Sequence, residues 1–157
     1  MRMNDKDVLI VSHLRKDARI KLTDMSKATK IPVSTIFDKI KLYEGGLIKK
    51  HTALVDFKTF GYQARALIVF KVHKKGREKL QNYLERHRNV NSLYKINNGW
   101  DFMVEVVFPG MKEVEDFITD LEDEMKVKSK KVFYVIDELV KEKFLSSPEA
   151  VKIMRGC

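Results

Sequence analysis

Cysteine is almost absent: Cys157 is the only one in 157 residues. A single thiol excludes an internal disulfide and any zinc site built from several cysteines. Proline and glycine are scarce, three and seven residues, which excludes collagen-like and low-complexity chains. No apolar run approaches the roughly 18 residues of a membrane helix. The opening MRMNDKDVLI carries acids where a secretory signal needs an apolar stretch. The expectation is a cytoplasmic protein with no membrane partner. The histidines His13, His51, His73 and His87 show no ligand spacing, so no metal site is expected. There is no Gly-rich phosphate loop, nucleophile elbow or paired-histidine helix. The acids Glu113, Glu115 and Asp116 fall on a solvated helix face. Neither an enzymatic activity nor a cofactor is expected.

What is present is a core-forming composition, 44% hydrophobic and 10% aromatic, enough for one ordinary domain or two small ones. The net charge is +9, and it is uneven. Residues 1–63 carry 13 basic and 7 acidic side chains, whereas 64–157 carry 18 and 15. A basic part beside a balanced one points to a polyanionic partner, nucleic acid ahead of membrane.

The periodicity predicts a helix over 7–16 with Ile10, Val11 and Leu14 inward, capped by Asn4 or Asp5. A short helix follows over 22–29, with Leu22 and Met25 inward. A third, 32–45, opens on Pro32 and closes on Gly45-Gly46. Val33, Ile36, Ile40, Tyr43 and Leu47 align as its apolar stripe. Ser34, Asp38 and Lys41 lie opposite, flanked by Thr35 and Lys39. Residues 1–50 thus read as a helix-turn-helix lobe, winged-helix-like, and 51–63 as a linking strand.

From residue 64 to 145 strands and helices alternate. Strands are predicted at 64–72, 90–97, 100–108 and 132–136, the last with a possible continuation to Val140, and helices at 76–87 and 111–125. Asn98-Gly99 is a two-residue hairpin signal. The order βαββαβ is the ferredoxin-like split motif, so the fold class is α+β. The tail, 146–157, has a helix-start signature in Ser147-Pro148-Glu149, predicting a helix over about 148–154. Both faces of the strands are apolar, for example Leu67 and Val69 against Ala66, Ile68 and Phe70. Two helices cover only one face, which predicts a symmetric dimer through this lobe. Asp101, beside Trp100, either holds a ligand amine or is a plain turn acid.

Several stretches together resemble the Lrp/AsnC family of transcription regulators. They are Asp17-Ala18-Arg19-Ile20 after a helix ending in Leu14, Ser34-Thr35-Ile36, Lys39-Ile40, Leu47-Ile48 and Thr52-Ala53-Leu54. The resemblance runs from about residue 5 to 145. It implies a regulator of double-stranded DNA whose second, RAM/ACT-like lobe forms a homodimer, with further assembly to tetramers or octamers. It also implies a small effector, usually an amino acid, bound where second lobes meet. The second helix of a helix-turn-helix pair lies in the major groove; here that helix is 32–45. Ser34, Thr35, Asp38, Lys39 and Lys41 would then reach bases and phosphates, and Lys27, Lys30, Lys49, Lys50 and His51 would contact phosphates.

The chain departs from the family pattern in three places. The usual Gly-Asp-aromatic-Asp of the effector hairpin reads Asn98-Gly99-Trp100-Asp101, with one carboxylate missing. Lys30 stands where a turn glycine is usual. The groove helix is about one residue shorter at its end. Two other readings use the same second lobe: an RNA-binding module, which Asn98-Gly99-Trp100-Asp101-Phe102 partly echoes, and a small-molecule-binding domain without a regulatory role.

Overall fold

A computed structural model describes residues 3–147 and 149. The chain divides into two units. One holds the residues up to Leu54 together with the segment from Leu139 onward; the other is Val55–Glu138.

The first unit contains α1 (Asp5–Lys16), α2 (Leu22–Thr29) and α3 (Val33–Tyr43). Asn4 starts α1 with a capping box. Its side chain accepts from the Asp7 amide at 3.0 Å, and the Asp7 carboxylate accepts from the Asn4 amide at 2.8 Å. α2 stops at Lys30, whose φ of +60° is left-handed. The chain then drops Ile31 into the core, 3% exposed, beside Ile10, Met25, Ile36 and Tyr43. Gly45 at φ +77° turns the chain after α3, and the Gly46 and Ile48 amides both donate to the Tyr43 carbonyl, at 3.2 and 2.9 Å.

Two members of the expected α3 stripe lie outside this core. Val33 is 39% and Leu47 47% exposed. Ile36, Ile40 and Tyr43 set the inner face of α3, and Val33 sits about 60° around the helix from their centre. Leu47 lies past the glycine turn, off the helix altogether.

The second unit contains β1 (Ala64–Val72), α4 (Arg77–Arg86), β2 (Val90–Lys95), β3 (Phe102–Phe108), α5 (Met111–Met125) and β4 (Val127–Tyr134). The strands form one antiparallel sheet in the order β2-β3-β1-β4. Alternation along each strand sends Ala66, Ile68, Phe70, Val104 and Val106 to one face. There they meet Leu80, Leu84, Val114, Ile118 and Leu121 of the two helices. This is the predicted βαββαβ unit.

Several element ends move by one or two residues, β2 stopping at Lys95 and β3 starting at Phe102, and three larger differences from the sequence reading stand out. β4 starts at Val127 instead of Val132 and stops at Tyr134. It is an edge strand, and Lys128, Lys130 and Lys131 are tolerated there because an edge can keep charge in water. Residues 51–63 do not form a strand. A strand needs a hydrogen-bonding neighbour, and among the described residues the sheet takes none beyond β2 and β4. Instead a 3-10 turn forms at Phe57–Phe60, opened by the Asp56 carboxylate and closed by Gly61 at φ +85°. Finally, residues 139–145, expected at the end of the second lobe, belong to the first unit. The Arg15 guanidinium donates to the Phe144 and Glu142 carbonyls at 2.8 and 3.1 Å, and pairs with the Glu142 carboxylate at 2.9 Å. The helix predicted over 148–154 lies outside the described residues, except Glu149, which sits in a turn.

Candidate nucleic-acid interface and ligand corner

α3 presents its outer face to solvent through Val33, Ser34, Phe37, Asp38, Lys41 and Leu42, all exposed. These positions recur at i, i+1, i+4, i+5, i+8 and i+9, one side of a helix. Thr35 is half-buried at the margin. Lys27 and Lys30 of the α2–α3 corner and Lys49 and Lys50 beyond the glycine turn are exposed as well. Lys27 lies 3.9 Å from Asp24, an exposed pair of little energetic weight. The His51 ring lies 3.8 Å from the Glu44 carboxylate. Of the residues singled out in the sequence, Ser34, Asp38 and Lys41 lie on the exposed side of α3, and Lys27, Lys30, Lys49 and Lys50 are exposed.

Lys39 departs from that reading. Its ammonium pairs with the Asp7 carboxylate, and its side chain is only 24% exposed. Asp7 is 3% exposed and also accepts from the Tyr43 hydroxyl at 2.5 Å. Lys39 sits about 60° from the centre of the inner face of α3, near enough to reach α1 across the core. Burial pushes the Asp7 carboxyl up, but the hydrogen bonds from Asn4, Lys39 and Tyr43, with the Lys39 charge, hold it below its ordinary value. Burial and Asp7 together push the Tyr43 phenol well up. Lys39 therefore ties α3 to α1.

The residue that sequence reasoning missed is Phe37. It is 46% exposed on the outer face, with the Lys41 ammonium 4.9 Å from its ring centre. The signal was there: an aromatic about 100° from the inner stripe on a helix with 3.6 residues per turn.

The second candidate region is the β2–β3 hairpin. Asn98 (φ +59°) and Gly99 (φ +85°) make the predicted primed turn. Asp101 does not point freely outward. It accepts from the Val72 amide at 2.9 Å and pairs with Arg77 at 2.7 Å, so its carboxylate anchors the hairpin to the end of β1. Trp100 is half-buried, with the Lys131 ammonium 5.7 Å from its ring centre. A groove of about 690 Å³ opens at the other end of the sheet, lined by Val55, Phe57, Phe60, Tyr62, Val107 and Phe108, with Arg88 and Glu113 as its charged lining.

The sheet face away from the helices carries Leu67, Val69, Met103 and Val107, and Phe133 at 53% exposure. Set among them is a polar cluster. Glu105, 5% exposed, accepts from Asn91 at 2.7 Å and Ser92 at 3.1 Å and pairs with Arg65. Arg65 reaches on to Glu138. Burial raises the Glu105 carboxyl, and Asn91, Arg65 and Ser92 more than offset it, so it stays ionised below the ordinary carboxylate range.

This architecture has close counterparts. A family model described as the Lrp/AsnC ligand binding domain matches residues 65–145. The transcriptional regulator FL11 of Pyrococcus furiosus is 31% identical over 74% of this chain and 78% of its own. The chain belongs to the Lrp/AsnC family.

Among other similar proteins, the transcriptional regulator AzlB of Bacillus subtilis is 30% identical over 75% of this chain and 78% of its own. The solved structure of Bacillus subtilis LrpC superposes with a TM-score of 0.80 at 21% identity, over 89% of this chain and 99% of that one. A Neisseria meningitidis transcriptional regulator solved with L-methionine gives 0.82 at 18%, over 89% and 94%. The Lrp/AsnC relatives are named as HTH-type transcriptional regulators. The matched region takes in the βαββαβ unit from Arg65 onward, including both the Asn98–Asp101 corner and the Arg65–Glu105 face. Among the described residues no helix is long and apolar enough to cross a membrane.

Proposed function

We propose that this chain is a sequence-specific regulator of transcription that places α3 in the major groove of duplex DNA. The observation that carries the reading is the outer face of α3, where Ser34, Asp38 and Lys41 stand exposed together, with Lys27, Lys30, Lys49 and Lys50 exposed in the segments that flank α3 along the chain. An α-helix of this width fits the major groove, and short polar side chains on it read base edges. The lysines supply affinity for the phosphates without sequence choice. Asp38 accepts a hydrogen bond from a cytosine amine or turns the helix away from phosphate. Thr35 reaches the groove from the margin. The regulator works in the cytoplasm and performs no catalysis.

The regulator acts as a homodimer, and tetramers or octamers build on that dimer. The support lies in the sheet face that the two helices leave open. Leu67 and Met103 are half-buried there and Phe133 exposed, and the buried Glu105 is already paired with Arg65, so these side chains can be covered by a second copy without stranding that carboxylate. A small effector, an amino acid by analogy with the methionine-bound relative, docks at Asn98, Gly99 and Trp100. Asp101 takes part only by exchanging Arg77 for the ligand ammonium.

The deciding experiment measures the full chain against duplex DNA and single-stranded RNA of one sequence, with the oligomeric state read by light scattering. Duplex preference and a dimer or larger assembly are expected. A lone subunit that ignores duplex DNA at low salt would defeat the reading, and stronger RNA binding would replace it with the RNA-binding alternative. Titration with each amino acid, followed by calorimetry, tests the effector corner.

A further inference from the structure

Large apolar side chains are unevenly exposed on the first unit. Among the described residues, α1 and α2 hold none that is exposed, whereas α3 exposes Val33 at 39%, Phe37 at 46% and Leu42 at 66%. The small core needs its apolar residues and obtains them from α1, α2 and the inner side of α3. Phe37 contributes nothing to it. An aromatic ring left half in water costs solubility, and on the one helix with a polar, basic outer side it asks for a partner.

The surroundings of the ring specify that partner. Lys41, one turn later, holds its ammonium 4.9 Å from the ring centre. This contact limits the ring's rotamers, so less freedom is lost on binding. It also puts a cation beside an apolar surface, at a spacing suited to a base edge next to a phosphate. Ser34 and Asp38 flank the same strip. In the major groove only one base presents an apolar group, the C5-methyl of thymine.

We infer that Phe37 is a specificity-determining residue that reads a thymine methyl in each half-site, with Lys41 holding its ring in place. The inference rests on the proposed placement of α3 in duplex DNA and names the base that α3 selects. Asp38 and Phe37 then divide the reading: the carboxylate faces cytosine and the ring faces thymine. Phosphate-contacting lysines carry none of this choice.

The test uses the full chain. Preferred duplexes are first selected from a randomised pool. Each thymine of the preferred duplex is then replaced, one at a time, by deoxyuridine, which removes a single methyl and leaves pairing intact. One thymine per half-site is expected to matter, its replacement weakening binding by about fourfold, the scale of one buried methyl. Phe37→Ala is expected to bind thymine and uracil duplexes equally, and to keep the wild-type slope of log affinity against log salt, because no charge is lost. Lys41→Ala is expected to lower that slope by about one per half-site and to shrink the methyl effect.

The uracil scan on the unaltered protein needs no variant, so it decides even where a substitution harms folding. Duplex selection that succeeds while every thymine tolerates uracil overturns the inference and leaves the regulator reading standing. A Phe37→Ala protein that keeps the full uracil penalty also overturns it, and assigns the methyl to another residue. Failure to enrich any duplex at low salt removes the regulator reading and this inference with it.

Discussion

The Tyr43 hydroxyl donates to Asp7 Oδ1 at 2.5 Å across 36 residues of sequence. It ties the last turn of α3 to the first turn of α1. Lys39 reaches the same carboxylate, so α3 is clamped at two successive turns by one buried acid. The Asn4 amide takes the other oxygen at 2.8 Å, and nothing on Asp7 is left unsatisfied. A helix that must sit in a groove at a fixed angle benefits from such a clamp, because each degree of play at its root is amplified at its tip.

Removing the acid should therefore loosen the whole first unit. Asp7→Ala strands a half-buried ammonium and a buried phenol, and a loss of about 3 kcal/mol is expected in denaturant unfolding. The sign with pH follows from the lowered carboxyl. The Asp7 contribution is fully present above the ordinary carboxylate value, about pH 4, and is lost as pH falls through the lower folded-state value. Asp7→Asn should remove that acid limb of the stability curve. A wild-type curve that is equally flat would contradict it.

Lys39 and Lys41 should separate cleanly. Lys39→Met is expected to cost about 2 kcal/mol of stability, since it leaves Asp7 buried with one partner fewer, and to leave the salt slope of DNA binding unchanged. Lys41→Met should do the reverse. Thermal unfolding and salt-dependent binding on the two variants check this. Equal slopes lost by both would return Lys39 to the phosphate contacts.

Lys30 holds the left-handed turn between α2 and α3 at φ +60°, a conformation that costs a side chain about 1 kcal/mol and costs glycine nothing. Lys30→Gly should raise stability by about 0.5–1 kcal/mol, while weakening DNA binding with a salt slope lower by about one per half-site. A destabilised Lys30→Gly protein would show that the lysine stem packs to more effect than the turn strains.

His87 packs against Phe117, ring centres 4.8 Å apart, with Tyr83 and Phe108 close by. Burial, helped by Arg88, lowers its pKa. Its stabilising contribution is present above the ordinary histidine value near 6.5 and is lost as pH falls through the folded-state value. His87→Leu should flatten the stability curve of the second unit below about pH 6.5. A curve with its original slope there would assign the transition elsewhere.

Asp101 is expected to behave as an anchor. Asp101→Asn keeps an acceptor for the Val72 amide but gives up the charge facing Arg77, for a cost of about 1–2 kcal/mol. Thermal unfolding should report this with no amino acid present. A variant that unfolds like the wild type yet has lost amino-acid binding would make the carboxylate a ligand group.

Much of this was legible in the residues themselves. The three first-unit helices, the βαββαβ order and the Asn98-Gly99 turn follow from local rules: a period of 3.6 against 2, caps, and the left-handed freedom of glycine and asparagine. So does the exposed row of Ser34, Asp38 and Lys41, because the opposite side of an amphipathic helix has nowhere else to go. What required the folded chain were the long-range pairings. No local pattern tells Lys39 that its partner is Asp7, 32 residues away, or that Asp101 is paired with Arg77. Periodicity sorts side chains by face, but a long charged side chain at the margin of a face reaches either way. Only the position of the neighbouring element decides whether its charge meets water or a buried carboxylate. Phe37 lies between the two cases: its angle on the helix sets it off the inner stripe, and the packing of α3 on α1 and α2 decides that it stays 46% exposed.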